Sequence, residues 1–202
     1  MSTHARRRRT TRIAHRLAVP VAILLSGATI GTASYAAFSA TTTTPTNNWA
    51  AGTVALSDDD SATALFTATN LEPGSTDSRC IAVTSTGSLA SDVRLYGTGA
   101  ATTNALSSYI TLTVTQGTGG TFAGGCAGFT PLPSGSSVYT GSLANFGSTA
   151  TSYATGLGTW APTGLAPETR VFQFVYTLDA GAPNTTQGGT AALGFTWEAQ
   201  NS

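Results

Sequence analysis

The sequence predicts an all-β fold, an antiparallel two-sheet sandwich of jelly-roll type with eight or nine strands. Three observations carry this. Past residue 36 the chain is Thr, Ser, Gly and Ala with short bursts of β-branched and aromatic residues. No apolar 3.6-residue period persists for three turns. Period-two alternation instead recurs in short runs bounded by Gly, Pro, Asn and Asp clusters, the mark of half-buried strands.

The first 36 residues stand apart. Arg6 to Arg9, Arg12 and Arg16 form a basic stretch, Leu17 to Leu25 is an apolar run, and Ser34-Tyr35-Ala36 is a small-x-small cleavage signal, so 1–36 reads as a secretory signal peptide cut between Ala36 and Ala37. The competing reading is a membrane anchor, because Leu17 to Ala37 is uncharged and long enough to span a bilayer. Pro20, Gly27 and Gly31, together with Ser26, Thr29 and Thr32, weaken that reading. Residues 37–48 form an extended arm with Phe38 and the threonines Thr41, Thr42, Thr43 and Thr44, and 49–202 is a single β-sandwich domain.

Removal of the leader changes the electrostatics. Arg79, Arg94 and Arg170 remain against nine carboxylates, a net charge of −6, and both histidines (His4, His15) are lost with the leader. The sequence has no lysine. Such a chain cannot neutralise many phosphates, which excludes nucleic acid and anionic lipid as partners.

Strands are expected at Thr53 to Ser57, Ala64 to Asn70, Arg79 to Thr84, Asp92 to Tyr96, Ile110 to Gln116, Ser137 to Leu143, Arg170 to Leu178 and Ala191 to Ala199. In the last, Leu193, Phe195 and Trp197 share one face. Arg170 to Leu178 is apolar on both faces, which suits a central strand. Leu71-Glu72-Pro73-Gly74 carries Pro then Gly as a type II turn requires. Gly117 to Gly125, with five glycines in nine residues, reads as too flexible for a strand interior. Cys80 and Cys126, in a chain addressed to an oxidising compartment, read as a disulfide, the alternative being two free buried thiols.

Little chemistry is legible. Without histidine or lysine after cleavage, Ser-His-Asp, Cys-His and Ser-Lys nucleophiles are excluded, and so are His-Glu-x-x-His zinc sites. The sequence names no catalytic residue, no metal ligand and no cofactor. Glu72, Asp77, Asp92, Glu168, Asp179 and Glu198 could in principle form a glycosidase pair, but no spacing selects two of them. Asp58-Asp59-Asp60 reads either as a solvated hairpin turn or as oxygen ligands to calcium. Asn184-Thr-Thr is a glycosylation sequon only where the source modifies it.

Tyr35-Ala-Ala-Phe-Ser39, then Asn48-Trp-Ala-Ala-Gly-Thr-Val-Ala-Leu56, Asn70-Leu-Glu-Pro-Gly74 and Thr86-Gly-Ser-Leu89 leading to Asp92-Val93 resemble the TasA/camelysin family over about residues 33 to 96. These are exported proteins processed by SipW-type signal peptidases. The resemblance implies a jelly-roll-like sandwich that assembles into extracellular fibres of a biofilm matrix or cell envelope. It also implies a metalloendopeptidase activity, onto which no residue of this chain can be carried. The reading is therefore a secreted, non-enzymatic structural protein of the cell surface or matrix, self-assembling through its N-terminal arm. Its partners are further copies of itself, cell-wall or matrix components, and a signal peptidase during export. The alternatives are a camelysin-type metalloendopeptidase, or a monomeric adhesin or carbohydrate-binding module presenting Trp49, Trp160 or Tyr153.

Overall fold

The computed structural model describes residues 51–202; the leader, Ala36 and Ala37, the arm residues Phe38 and Thr41 to Thr44, and Trp49 lie outside the described residues. Nine strands follow: β1 (Leu56–Asp58), β2 (Thr76–Ser85), β3 (Ser91–Thr102), β4 (Ile110–Thr118), β5 (Thr130–Pro131), β6 (Ser137–Ser142), β7 (Leu157–Trp160), β8 (Glu168–Leu178) and β9 (Ala191–Asn201). One short helix, α1 (Leu143–Thr149), interrupts them. All pairings are antiparallel. The larger sheet runs β1-β2-β8-β4-β5 with β6 also paired to β4, and the smaller is β7-β3-β9. The chain changes sheet at most connections between its longer strands, as the sandwich expectation requires.

The core follows from the alternation. β8 sits between β2 and β4, in register Ile81↔Phe172 and Val114↔Phe174, so one face of three neighbouring strands supplies Ile81, Phe172, Phe174 and Val114. The smaller sheet answers with Val93 and Leu95 from β3 and with Phe195 and Trp197 from β9. Phe174 is wholly buried, its ring 4.6 Å from that of Phe195 and 5.9 Å from that of Trp197. Burial of such a side chain contributes roughly 1.5–3 kcal/mol. The expected central position of Arg170 to Leu178 holds, and Val171 on its other face is also buried.

Five expectations need correction. Ala64 to Asn70 is not a strand: the run has a strand's alternation but no strand beside it, and Asn70 takes a φ of 54°, outside extended geometry. Ser137 to Leu143 ends at Ser142, whose hydroxyl accepts a hydrogen bond from the Asn145 N–H at 3.1 Å and caps α1. Helix α1 then places Phe146, fully buried, against Tyr139 and Phe195. Gly117 lies within β4, opposite Pro131; there an added Cβ would collide with the Thr130 carbonyl, so glycine permits the close pairing of β4 with β5. Thr53 to Ser57 contributes only its last two residues to β1. The type II turn falls one residue later than expected, with Ser75 N–H donating to the Glu72 carbonyl and Gly74 at φ 89°.

Candidate functional site at an open edge of the sandwich

Most polar residues singled out in the sequence are occupied locally. Cys80 and Cys126 form a disulfide, which fastens the glycine-rich loop after β4 to β2. Asp59 reinforces the same loop: one carboxylate oxygen accepts from the Ala82 N–H at 2.9 Å and the other from the Phe122 N–H at 2.8 Å. Asp60 accepts from the Ala62 N–H at 2.7 Å. The Asp58 carboxyl lies against Asp60 and is raised above its ordinary value, by burial first and by Asp60 second. Of the two readings of this triplet, neither describes Asp59, which acts as a main-chain clamp.

The other carboxylates are dispersed. Asp77 pairs with Arg79 at 3.1 Å on the surface. Glu168 accepts from the Thr163 hydroxyl and N–H, which hold its carboxyl below the usual range. Glu198 accepts from the Tyr96 hydroxyl at 2.9 Å, and that bond raises the phenol. Asp179 caps a turn through the Gly181 N–H. Glu72 closes the Pro73-Gly74 turn through its main chain, and on the outer face of β3 the Asp92 carbonyl accepts from Tyr153. Asn184 opens a short 3₁₀ turn. Trp160 is buried beneath Arg170 and Phe172.

One feature is unlike the rest. The larger sheet has six strands and the smaller only three, so the sandwich stays open along β9, which has no described strand on its outer side. A groove of about 1420 Å³ runs there, with Leu65, Phe66, Leu71 and Tyr176 on one side and Phe195 and Trp197 on the other. Leu193, Phe195 and Trp197 are only half-buried despite facing inward. The Trp197 indole N–H, lining this groove, is shielded from solvent yet has no partner among the described residues. A strand edge without a described partner, beside an apolar slot, is the geometry at which a strand can be added.

This slot was not legible in the sequence. The alternation of Leu193, Phe195 and Trp197 marks a half-buried strand but not which edge of it is free. One signal was present: edge strands are commonly guarded by lysine, proline or inward-pointing charge, and residues 191–201 have none of these on the inward face.

Residues 12–107 match the family model described as camelysin metallo-endopeptidase. Over that segment the chain is similar to the camelysin family. No curated protein matches it. The matched segment carries β1, β2 and β3 of the sandwich, whereas β9 lies beyond it.

The camelysin name implies a catalytic metal, and the residues of 51–202 do not fit one. Among them there is no histidine, and no three Cys, Asp or Glu side chains converge. In the only aspartate cluster among them, both oxygens of Asp59 are already engaged by main-chain N–H groups. Among the described residues no helix is long and apolar enough to cross a membrane.

Proposed function

We propose that this protein, similar over residues 12–107 to camelysin, is a secreted structural protein of the cell surface or biofilm matrix, which assembles into fibres by strand donation. The leader is cut after Ala36. The freed arm from Ala37, anchored by Phe38, pairs along β9 of a neighbouring copy and lays alternate side chains into the groove beside it. The observation that carries this reading is the edge of β9, which no described strand pairs, along an apolar slot.

Length and composition support the match. The arm from Ala37 to Asn47 is eleven residues, equal to β9 (Ala191–Asn201). Its threonine run is β-branched yet soluble, so it tolerates water when free and extended geometry when paired. Main-chain hydrogen bonds along a strand of this length would supply affinity, and the slot would select the side chains. Neither alternative draws comparable support: Trp160 is buried and unavailable to a sugar, and no residue set among those described fits the peptidase metal.

Electron microscopy of the secreted protein beside a chain beginning at Asn48 tests the proposal. Fibres from the first and none from the second are expected. Equal fibres from both would overturn strand donation, and chelator-sensitive cleavage of a protein substrate would revive the peptidase.

A further inference from the structure

The segment after β1 is built unlike any other part of the described chain. Between Ala64 and Leu71 no main-chain N–H or C=O bonds to any described residue. Yet Ala64-Leu-Phe-Thr-Ala-Thr-Asn70 has the alternation and β-branched content of a strand. Among the described residues it is held by side chains alone. Leu65 and Phe66 pack on the main core, Phe66 meets the ring of Tyr176 edge-on at 5.0 Å, and Leu71 joins the smaller apolar cluster around Leu178. Its ends are strained: Ser61 and Ala62 take φ of 55° and 61° on one side and Asn70 takes 54° on the other, all non-glycine residues in left-handed geometry.

This segment lines the same groove as the free edge of β9. Strand-forming residues whose backbone groups have no described partner therefore face, across a slot, a strand edge that no described strand pairs. We propose that Ala64–Asn70 is a latent strand. When the arm of a second copy enters and pairs with β9, Ala64–Asn70 straightens and pairs with the other edge of that arm. The smaller sheet would then read β7-β3-β9, incoming arm, Ala64–Asn70. An incoming strand would be bonded on both edges, and unpaired amides on both sides of the slot would be satisfied together. In the isolated protein the same segment screens the slot with Leu65 and Phe66, which limits indiscriminate edge pairing. The inference rests on strand donation at β9.

Hydrogen–deuterium exchange on the secreted protein, as monomer and after addition of a synthetic peptide of residues 37–47, separates the two claims. In the monomer, amides of 64–70 are expected to exchange as fast as those of a surface loop, because nothing described bonds them. With peptide bound, amides of 64–70 and of β9 are both expected to slow at least tenfold. Slowing at β9 alone would overturn the latent strand and leave strand donation standing. No slowing at either would overturn both. Slow exchange of 64–70 already in the monomer would also overturn the latent strand. A Thr67→Pro variant adds a second readout: the Thr67 N–H has no described partner, so its thermal midpoint should hold, while peptide binding weakens about tenfold in at least one of Thr67→Pro and the adjacent Ala68→Pro, whose missing N–H groups face opposite strand edges. Unchanged binding in both variants would overturn the proposal.

Discussion

Replacement of Asp59 by Ala should destabilise the protein by more than any other single charge removal in the described residues. The carboxylate accepts two main-chain hydrogen bonds, from Ala82 at 2.9 Å and Phe122 at 2.8 Å, joining β2 to a loop that is distant in sequence. Hydrogen bonds to a charged group contribute about 1.5–3 kcal/mol each. Both N–H groups belong to half-buried residues that water can partly reach, which places the pair near the lower end, at about 3 kcal/mol. For a protein of this size that lowers the melting midpoint by about 6–12 °C. Asp59→Asn keeps one carbonyl acceptor and should lose about half as much. Thermal unfolding followed by circular dichroism measures both. The effect of Asp59→Ala should shrink when Cys80 and Cys126 are both serine, because a released loop no longer presents the Phe122 N–H, and coupling of at least about 0.5 kcal/mol is expected. A midpoint for Asp59→Ala within a degree of the parent would refute the clamp.

Other outcomes follow from the same geometry. Serine at both Cys80 and Cys126 removes a cross-link between residues 46 apart, for which the chain-entropy relation assigns about 4 kcal/mol, readable as a fall in denaturant midpoint. Phe174→Ala, at a fully buried position between the sheets, should cost about 3–5 kcal/mol by chemical denaturation. The Asp58 carboxyl is raised above its ordinary 3.8 by burial and by Asp60, so the folded state holds its proton more tightly than the unfolded state does. Its contribution to stability is therefore neutral below that value and becomes a cost as pH rises through the folded-state value. Asp58→Asn should stabilise the protein at pH 7 and leave it unchanged near pH 3; a pH-independent difference would show that the side chain acts by packing instead.

Sequence and structure part company where one strand needs to know its neighbour. The alternation in 79–84, 110–116 and 191–199 and the doubly apolar run 170–178 were readable because the inward residues are large, so local pattern and burial agree, while the structure extends each of these strands at one or both ends. Leu157–Trp160 and Thr130–Pro131 are too short to show a period. Helix α1 is Leu-Ala-Asn-Phe-Gly-Ser-Thr, a poor helix sequence that persists because Ser142 caps it and Phe146 is pulled into the core. Ala64 to Asn70 misled in the opposite sense: its β-branched content favours a strand, but no described strand lies beside it to pair with.

The sequence alone determined the fold class, the small number of charges, the absence of lysine and the absence of histidine past residue 15, because composition and period-two burial are local properties that any packing inherits. Only the tertiary structure decided that Asp59 is a clamp, that Cys80 and Cys126 lie 5.0 Å apart at Cα, and that β9 ends a three-stranded sheet beside an apolar slot. The physical reason is that an edge is a property of what lies next to a strand, and in a sandwich the neighbours are set by contacts between residues far apart in sequence.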